Sequence, residues 1–270
     1  MATQLLMAKK PEEAIGSKTA SAVFVAGGTE VNRLGSDAAK AADTLISLKK
    51  CAGLSQIEEA GDKVRIGAMC TFQQLIESEA VPAYLKEAAH FMASRTKRNM
   101  ATIGGNIGAL RDDSYLLPVL FAVCARVEVL TAEGAKDICV NSFMEEKDAG
   151  ADMLITTVVV PKDVKVASKR YANTAQSHAV LTMSSALTEK GITLAAAVKN
   201  SGIYRFRNFE KLLADKKELS EEETLKWFDD NLDIPVEDDM FGSVQYKRYL
   251  IGYTAFDLCR QITGGKEAVR

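Results

Sequence analysis

The chain has 270 residues, of which 47% are hydrophobic and 26% charged, proportions typical of a globular protein with a sizeable core. Its 34 basic and 36 acidic side chains give a net charge of -2, which favours neither nucleic acid nor an anionic membrane as a partner. No apolar run approaches the roughly 18 residues of a membrane-spanning helix, and the N-terminal residues do not resemble a secretory signal. These features predict a cytoplasmic protein.

The predicted elements begin with two short β-type runs at residues 21–26 and 44–48, the first of which ends abruptly at a glycine pair. Residues 64–69 follow an Ala-Gly-Asp turn and again favour a strand. Residues 71–78 then predict a helix, for which Thr71 is a suitable N-cap.

A longer amphipathic helix is predicted to begin at Pro82. The glycine-rich, uncharged residues 101–110 follow it, and the apolar residues 116–124 are expected to be buried. Alternation over residues 126–131 predicts a half-buried strand, and the run MLITTVVV at 153–160 is the strongest strand candidate in the chain.

Charge and proline interrupt the pattern at residues 161–167, where we place a domain boundary. Beyond it, residues 179–187 and 192–198 predict two strands joined by a turn. A charged helix is predicted at residues 220–231, where Ser220 and Glu223 match a capping box, and a final helix at residues 244–262.

The five cysteines and two histidines show no metal-ligand spacing, so we expect neither a metal site nor an iron–sulfur cluster held by this chain. Cys70 and Cys124 lie in apolar stretches, which predicts buried, reduced thiols. No paired carboxylates or Ser/His/Asp set demand a catalytic role, and we assign no catalytic residue.

Two glycine-rich segments carry the functional signal. In FVAGGTE at 24–30, a strand stops at a glycine pair whose successive N–H groups could bind phosphate oxygens, although an ordinary tight turn is the alternative. In TIGGN at 102–106, two glycines and an asparagine could again supply donors, or form an ordinary connection. Neither is a GxGxxG or GxxxxGK[ST] motif, so the pair favours a dinucleotide held by backbone dipoles.

The motifs AGGT at 26–29, IGA at 66–68 with Thr71, and ATIGGN at 101–106 resemble the FAD-binding subunits of the xanthine dehydrogenase and carbon monoxide dehydrogenase family, the molybdenum hydroxylases. LPVL at 117–120 and GSVQYKRYL at 242–250 are also similar to that family, and a bacterial branch of stand-alone subunits is most alike.

The resemblance implies an α+β fold in two domains. Residues 1–162 would form a two-subdomain FAD-binding fold of the p-cresol methylhydroxylase/vanillyl-alcohol-oxidase type, with subdomains at about 1–57 and 58–162. Residues 166–270 would form a smaller α+β flavoprotein C-terminal domain.

It also implies a set of FAD contacts. The residues that would wrap the pyrophosphate are Val25, Ala26, Gly27, Gly28, Thr29, Glu30 and Val31. The other implied contacts are Thr71, Thr102, Gly104, Gly105, Asn106, Ser114, Leu154 or Ile155, and Lys169 or Arg170. The chain departs from the family at Tyr115, which stands where the family has an aspartate, and Asp113 is the nearest carboxylate that could replace it.

The implied function is electron relay. An iron–sulfur subunit would pass electrons through FAD to NAD or another acceptor, while a molybdenum-cofactor subunit would oxidise the substrate. A self-sufficient FAD oxidoreductase of the same superfamily, such as one that reduces an enol-ether sugar nucleotide, and a flavin-free scaffold remain open as alternatives. Co-purification with an iron–sulfur polypeptide separates the first two, and bound flavin separates both from the third.

Overall fold

The computed structural model describes residues 4–33, 42–148, 152–216 and 219–264, which divide into two compact units. The first unit takes residues up to 82 together with 92–109 and 124–162. The second unit takes residues 83–91 and 110–123 together with those from 163 onward. Two segments that precede the expected boundary at 161–167 therefore belong to the second unit.

The strands of the described residues are β1 (Gln4–Met7), β2 (Ala22–Val25), β3 (Thr44–Ser47), β4 (Ile57–Ala60), β5 (Lys63–Gly67), β6 (Arg126–Thr131), β7 (Gly134–Cys139), β8 (Leu154–Pro161), β9 (Lys165–Tyr171), β10 (Leu181–Thr188), β11 (Gly191–Val198) and β12 (Gly202–Arg205). The helices are α1 (Pro11–Gly16), α2 (Phe72–Glu77), α3 (Ala83–His90), α4 (Arg95–Arg98), α5 (Ile103–Ala109), α6 (Leu117–Ala122), α7 (Val140–Asp148), α8 (Arg207–Asp215), α9 (Glu221–Asn231) and α10 (Val244–Thr263).

The first unit contains two sheets. A three-stranded parallel sheet has the order β1-β3-β2, and a five-stranded antiparallel sheet has the order β4-β5-β8-β6-β7. Strand β8 lies in the centre of the second sheet, which explains why its sequence is almost continuously apolar. Leu154 at its start packs into the core of the parallel sheet beside Ile46 and Leu54.

The second unit is built on the antiparallel sheet β12-β11-β10-β9. The aromatic rings of Phe206, Phe209 and Phe228 meet in its core, with centroids 5.3 Å apart for Phe206–Phe228 and 4.8 Å for Phe209–Phe228. Helix α6 is held to strand β11 by the Thr193 hydroxyl, which donates to the Ala122 carbonyl at 2.6 Å. No helix of the described ranges is both long and apolar enough to cross a bilayer.

Local signals correctly predicted about half of the described elements. The Thr71 side chain accepts from the Gln74 N–H at 3.2 Å, and the Gln74 side chain accepts from the Thr71 N–H at 2.8 Å, a complete capping box. The N-cap at Thr71 is therefore confirmed, and Ser220 and Glu223 form the capping box that was predicted for them.

Two expectations were wrong. Residues 103–109, where we expected backbone donors or an ordinary connection, form helix α5, because Thr102 caps a helix that packs against neighbouring backbone. Cys70 is buried as predicted, but Cys124 is exposed. It lies just beyond helix α6 with a φ of 53°, in the left-handed region, and so does not continue the buried apolar helix.

Candidate functional site

Both glycine segments line one cavity of about 350 Å³ in the first unit. This volume lies in the range of small-molecule sites in proteins. The predicted site residues that line it are Ala26, Gly27, Gly28, Thr29, Glu30, Val31, Thr102, Gly104, Gly105, Leu154 and Ile155.

The first glycine segment offers unused donors. Strand β2 ends at Val25, and Gly28 takes the left-handed conformation with a φ of 78°, which favours glycine. Among the described residues, no acceptor is bonded to the backbone N–H groups of Gly27, Gly28 and Thr29. Successive N–H groups in such a turn form an anion-binding concavity.

The packing of the first glycine turn requires glycine at position 27. A Cβ built on it would lie 1.6 Å from the carbonyl oxygen of Met100 and 2.6 Å from the carbonyl carbon. The first glycine turn therefore packs directly against the backbone that leads into the second glycine segment, and only glycine permits this approach.

The second glycine segment does not provide the bare amide donors that we expected. The Gly104 N–H donates to the Ala68 carbonyl at 2.9 Å, and the Gly105 N–H donates to the Thr102 hydroxyl at 3.1 Å. The Asn106 N–H donates to the Thr102 carbonyl at 2.9 Å. The glycines instead allow close packing, because a Cβ on Gly104 would lie 2.6 Å from that of Ala68.

Three predicted residues of this unit do not line the cavity. Val25 is the last residue of strand β2, where it pairs with Ser47. Thr71 caps helix α2 and forms an isolated β-bridge with Thr102, and Asn106 lies on helix α5. Their contact with FAD stays a prediction.

Ser114, Lys169 and Arg170 belong to the second unit. The buried Ser114 hydroxyl accepts from the Leu117 N–H at 3.1 Å, at the start of helix α6. Lys169 is ion-paired with Asp257. The Arg170 guanidinium lies 5.5 Å from the ring centroid of Tyr115, in cation–π geometry. Their assignment to FAD also stays a prediction.

Asp113, the nearest carboxylate to the position of Tyr115, is buried in a cluster of charges. It accepts from Arg111 at 2.7 and 2.6 Å and lies 2.9 Å from His178 Nδ1 and 3.5 Å from Lys199 Nζ. Burial raises the pKa of this carboxyl, but the hydrogen bonds and positive charge around it hold the pKa below its ordinary value. Asp113 is thus an ionised structural group whose oxygens are already engaged.

Several cavity residues were missed by the sequence analysis. Phe143 and Lys147, four residues apart on one face of helix α7, both line the cavity, as do Lys18 and the apolar side chains of Phe24 and Met69. The four-residue spacing of Phe143 and Lys147 predicts that they share one face of a helix, but it does not indicate which part of the protein that face contacts.

The lining fits one chemical class of ligand. Apolar side chains, among them Phe24, Met69 and Ile155, suit flat uncharged rings, while the free amides of the first glycine turn suit phosphate oxygens. The fold and the cavity therefore define a nucleotide-binding protein that uses a glycine turn other than the GxGxxG motif.

Residues 1–163 match the family described as the FAD binding domain in molybdopterin dehydrogenase. The chain belongs to this family and binds FAD. It is 32% identical over 253 residues to the uncharacterized protein YgfM of Escherichia coli K12, a match that covers 92% of this chain and 91% of the relative. It is also 35% identical over 126 residues to the nicotine 6-hydroxylase medium subunit of Paenarthrobacter nicotinovorans, covering 43% of this chain and 44% of that subunit.

A solved structure of carbon monoxide dehydrogenase from Hydrogenophaga pseudoflava has a similar chain. The likeness has a TM-score of 0.84, with 20% sequence identity, and covers 99% of both chains. At this identity it establishes a shared mixed fold of helices and sheets.

Proposed function

We propose that this chain is the FAD-binding electron-transfer subunit of a multi-subunit molybdenum hydroxylase. The iron–sulfur clusters and the molybdenum cofactor would be carried by partner chains, with NAD or another molecule as the final acceptor. The observation that carries the proposal is the row of N–H groups at Gly27, Gly28 and Thr29, which no acceptor of the described residues engages and which lines the same cavity as several apolar side chains. The likeness to a medium subunit supports a role within an assembly.

Different residues of the cavity would contact different parts of FAD. The N–H groups of the first glycine turn would hold the diphosphate, and Thr102, Gly104 and Gly105 would present a surface without bulky side chains to the flat part of the molecule. Leu154 and Ile155 would exclude water from it. FAD, when bound, supplies one- and two-electron chemistry of its own, so the protein has only to bind and orient it.

The charges of the cavity favour electron transfer over chemistry on a separate substrate. The only titratable residues in its described lining are Lys18, Glu30 and Lys147. Lys18 is paired with Asp152 at 2.8 Å, and Glu30 with Arg33 at 2.9 Å. No histidine, cysteine or tyrosine of the described lining offers a general acid or base near neutral pH, as a self-sufficient oxidoreductase would need.

We further propose that the domains follow the expected plan, with an FAD-binding domain of the p-cresol methylhydroxylase type at residues 1–162 and a C-terminal flavoprotein domain at 166–270. The two sheets of the first unit, one formed before residue 48 and one after residue 56, support two subdomains within the first domain.

The test is purification of the tagged chain from its own host, followed by flavin absorbance, iron and molybdenum analysis and identification of co-purifying chains. We expect stoichiometric FAD together with an iron–sulfur chain and a molybdenum-containing chain. FAD bound to a chain that purifies alone and oxidises a substrate by itself would favour a self-sufficient enzyme. Absence of flavin after reconstitution with excess FAD would contradict the proposal entirely.

A further inference from the structure

Helix α7 brings a lysine to the cavity. Phe143 is 1% exposed, and Lys147 lies one helical turn further on the same face, half-buried. Both line the cavity. The residues at three and four positions before Lys147 are Met144 and Phe143, so the helix itself offers no acidic partner upstream at the spacing that forms ion pairs.

Lys147 differs from the other two charged residues of the lining. Lys18 is neutralised by Asp152, and Glu30 accepts two hydrogen bonds from the Arg33 Nε and one from its Nη2, at 2.9 to 3.1 Å. Within the described ranges, Lys147 forms no ion pair and no hydrogen bond through its side chain. Among the described residues of the lining, Lys147 is therefore the charge without a partner, and that charge is positive.

The cavity also has fewer amide donors than two glycine segments would suggest. The N–H groups of Gly104 and Gly105 already donate to acceptors within the protein, so the N–H groups of the first glycine turn are the ones left to bind a ligand. A diphosphate carries two negative charges, and amide dipoles supply only partial charges against them. An ammonium group on a flexible stem is a common complement to phosphate in such sites.

We propose that Lys147 pairs with the diphosphate of FAD and thereby sets the affinity of the cavity for a dinucleotide. This inference rests on the cavity being the FAD site, as proposed above. Lys147 acts here as a binding residue only, with no part in the redox chemistry.

The experiment is titration of flavin fluorescence with the FAD-free full chain, for wild type and for Lys147→Gln, Lys147→Arg and Lys63→Gln. Lys63 is an exposed lysine of strand β5 outside the cavity lining, so its variant changes the net charge equally. At low salt we expect Lys147→Gln to raise the Kd for FAD about tenfold, equivalent to ~1.4 kcal/mol. The Kd of Lys147→Arg for FAD should stay within about threefold of the wild-type value, because the positive charge is kept. The Kd of Lys63→Gln should equal the wild-type value, because a charge outside the cavity is too far from the diphosphate to matter.

Salt distinguishes a charge effect from a packing effect. At about 0.5 M salt the difference between wild type and Lys147→Gln should shrink to about threefold or less, since screening weakens a charge pair and leaves packing unchanged. Equal affinities of wild type and Lys147→Gln for FAD at low salt would overturn the inference. So would a loss of affinity that is the same at both salt concentrations and equally large in Lys147→Arg. Either result would leave the FAD site intact. Failure of the wild type to bind FAD would instead refute the proposed function, and the inference with it. Melting curves of the FAD-free variants confirm that each is folded.

Discussion

The contact between Gly27 and Met100 allows a sharp test of how the glycine turn is held. In Gly27→Ala the added Cβ would lie 1.6 Å from the Met100 carbonyl oxygen, so the two backbones must separate by more than an ångström. Met100 cannot easily yield, because Ala101 next to it donates to Lys97 at 2.8 Å and accepts from Phe72 at 2.9 Å. The glycine turn must therefore move, and its N–H groups move with it.

Overpacking of this kind costs about 1–3 kcal/mol, and contact with fixed backbone places the substitution near ~3 kcal/mol. The thermal midpoint should fall by roughly 6–12 °C for a chain of this size. Affinity for FAD should fall at least about tenfold as well, because hydrogen bonds to a charged phosphate are worth ~1.5–3 kcal/mol each. Gly16→Ala is the matched control, since its Cβ meets nothing within 4 Å.

The assays are thermal unfolding of the FAD-free proteins and titration with FAD. Gly16→Ala should melt within a degree or two of the wild type and bind FAD normally. A Gly27→Ala protein that matches the wild type in both measurements would refute the argument that this turn depends on close approach to Met100. A protein that melts early but binds FAD normally would refute the link between the turn and the ligand.

Three further predictions concern stability and thiol reactivity. Thr71→Ala removes a capping box and should cost ~1 kcal/mol in urea unfolding, whereas Thr71→Ser should restore most of it. Asp113→Asn should cost ~3 kcal/mol at pH 7. The folded-state pKa of Asp113 is lowered, so its contribution is complete above the unfolded pKa of about 3.9 and is lost as pH falls through the folded pKa. The difference in stability between wild type and variant should therefore shrink as pH falls below about 3.9, and a difference that does not change with pH would contradict this. Partial burial raises the pKa of the Cys139 thiol, but hydrogen bonds from the next helix lower it by more. Iodoacetamide followed by mass spectrometry should thus label Cys139 well before the buried Cys70 and Cys259, whose pKa burial raises to about 11 and about 12; the opposite order would refute the assignment.

The sequence by itself determined the features that depend on neighbours a few residues apart. The N-cap at Thr71, the capping box at Ser220, the apolar strand β8 and the turn after strand β2 were all predicted, because each depends on side chains and backbone within one turn or strand. The two glycine motifs, read together, also led to the family and its cofactor.

Only the tertiary structure decided how those glycines are used. The N–H groups of Gly104 and Gly105 looked as free as those of Gly27 and Gly28, but helix α5 and the Ala68 carbonyl occupy the former and leave the latter open. The sequence likewise did not predict that Lys147 lines the same cavity. Hydrogen-bond acceptors and cavity walls come from segments tens of residues away, and periodicity along the chain carries no information about which of them will meet.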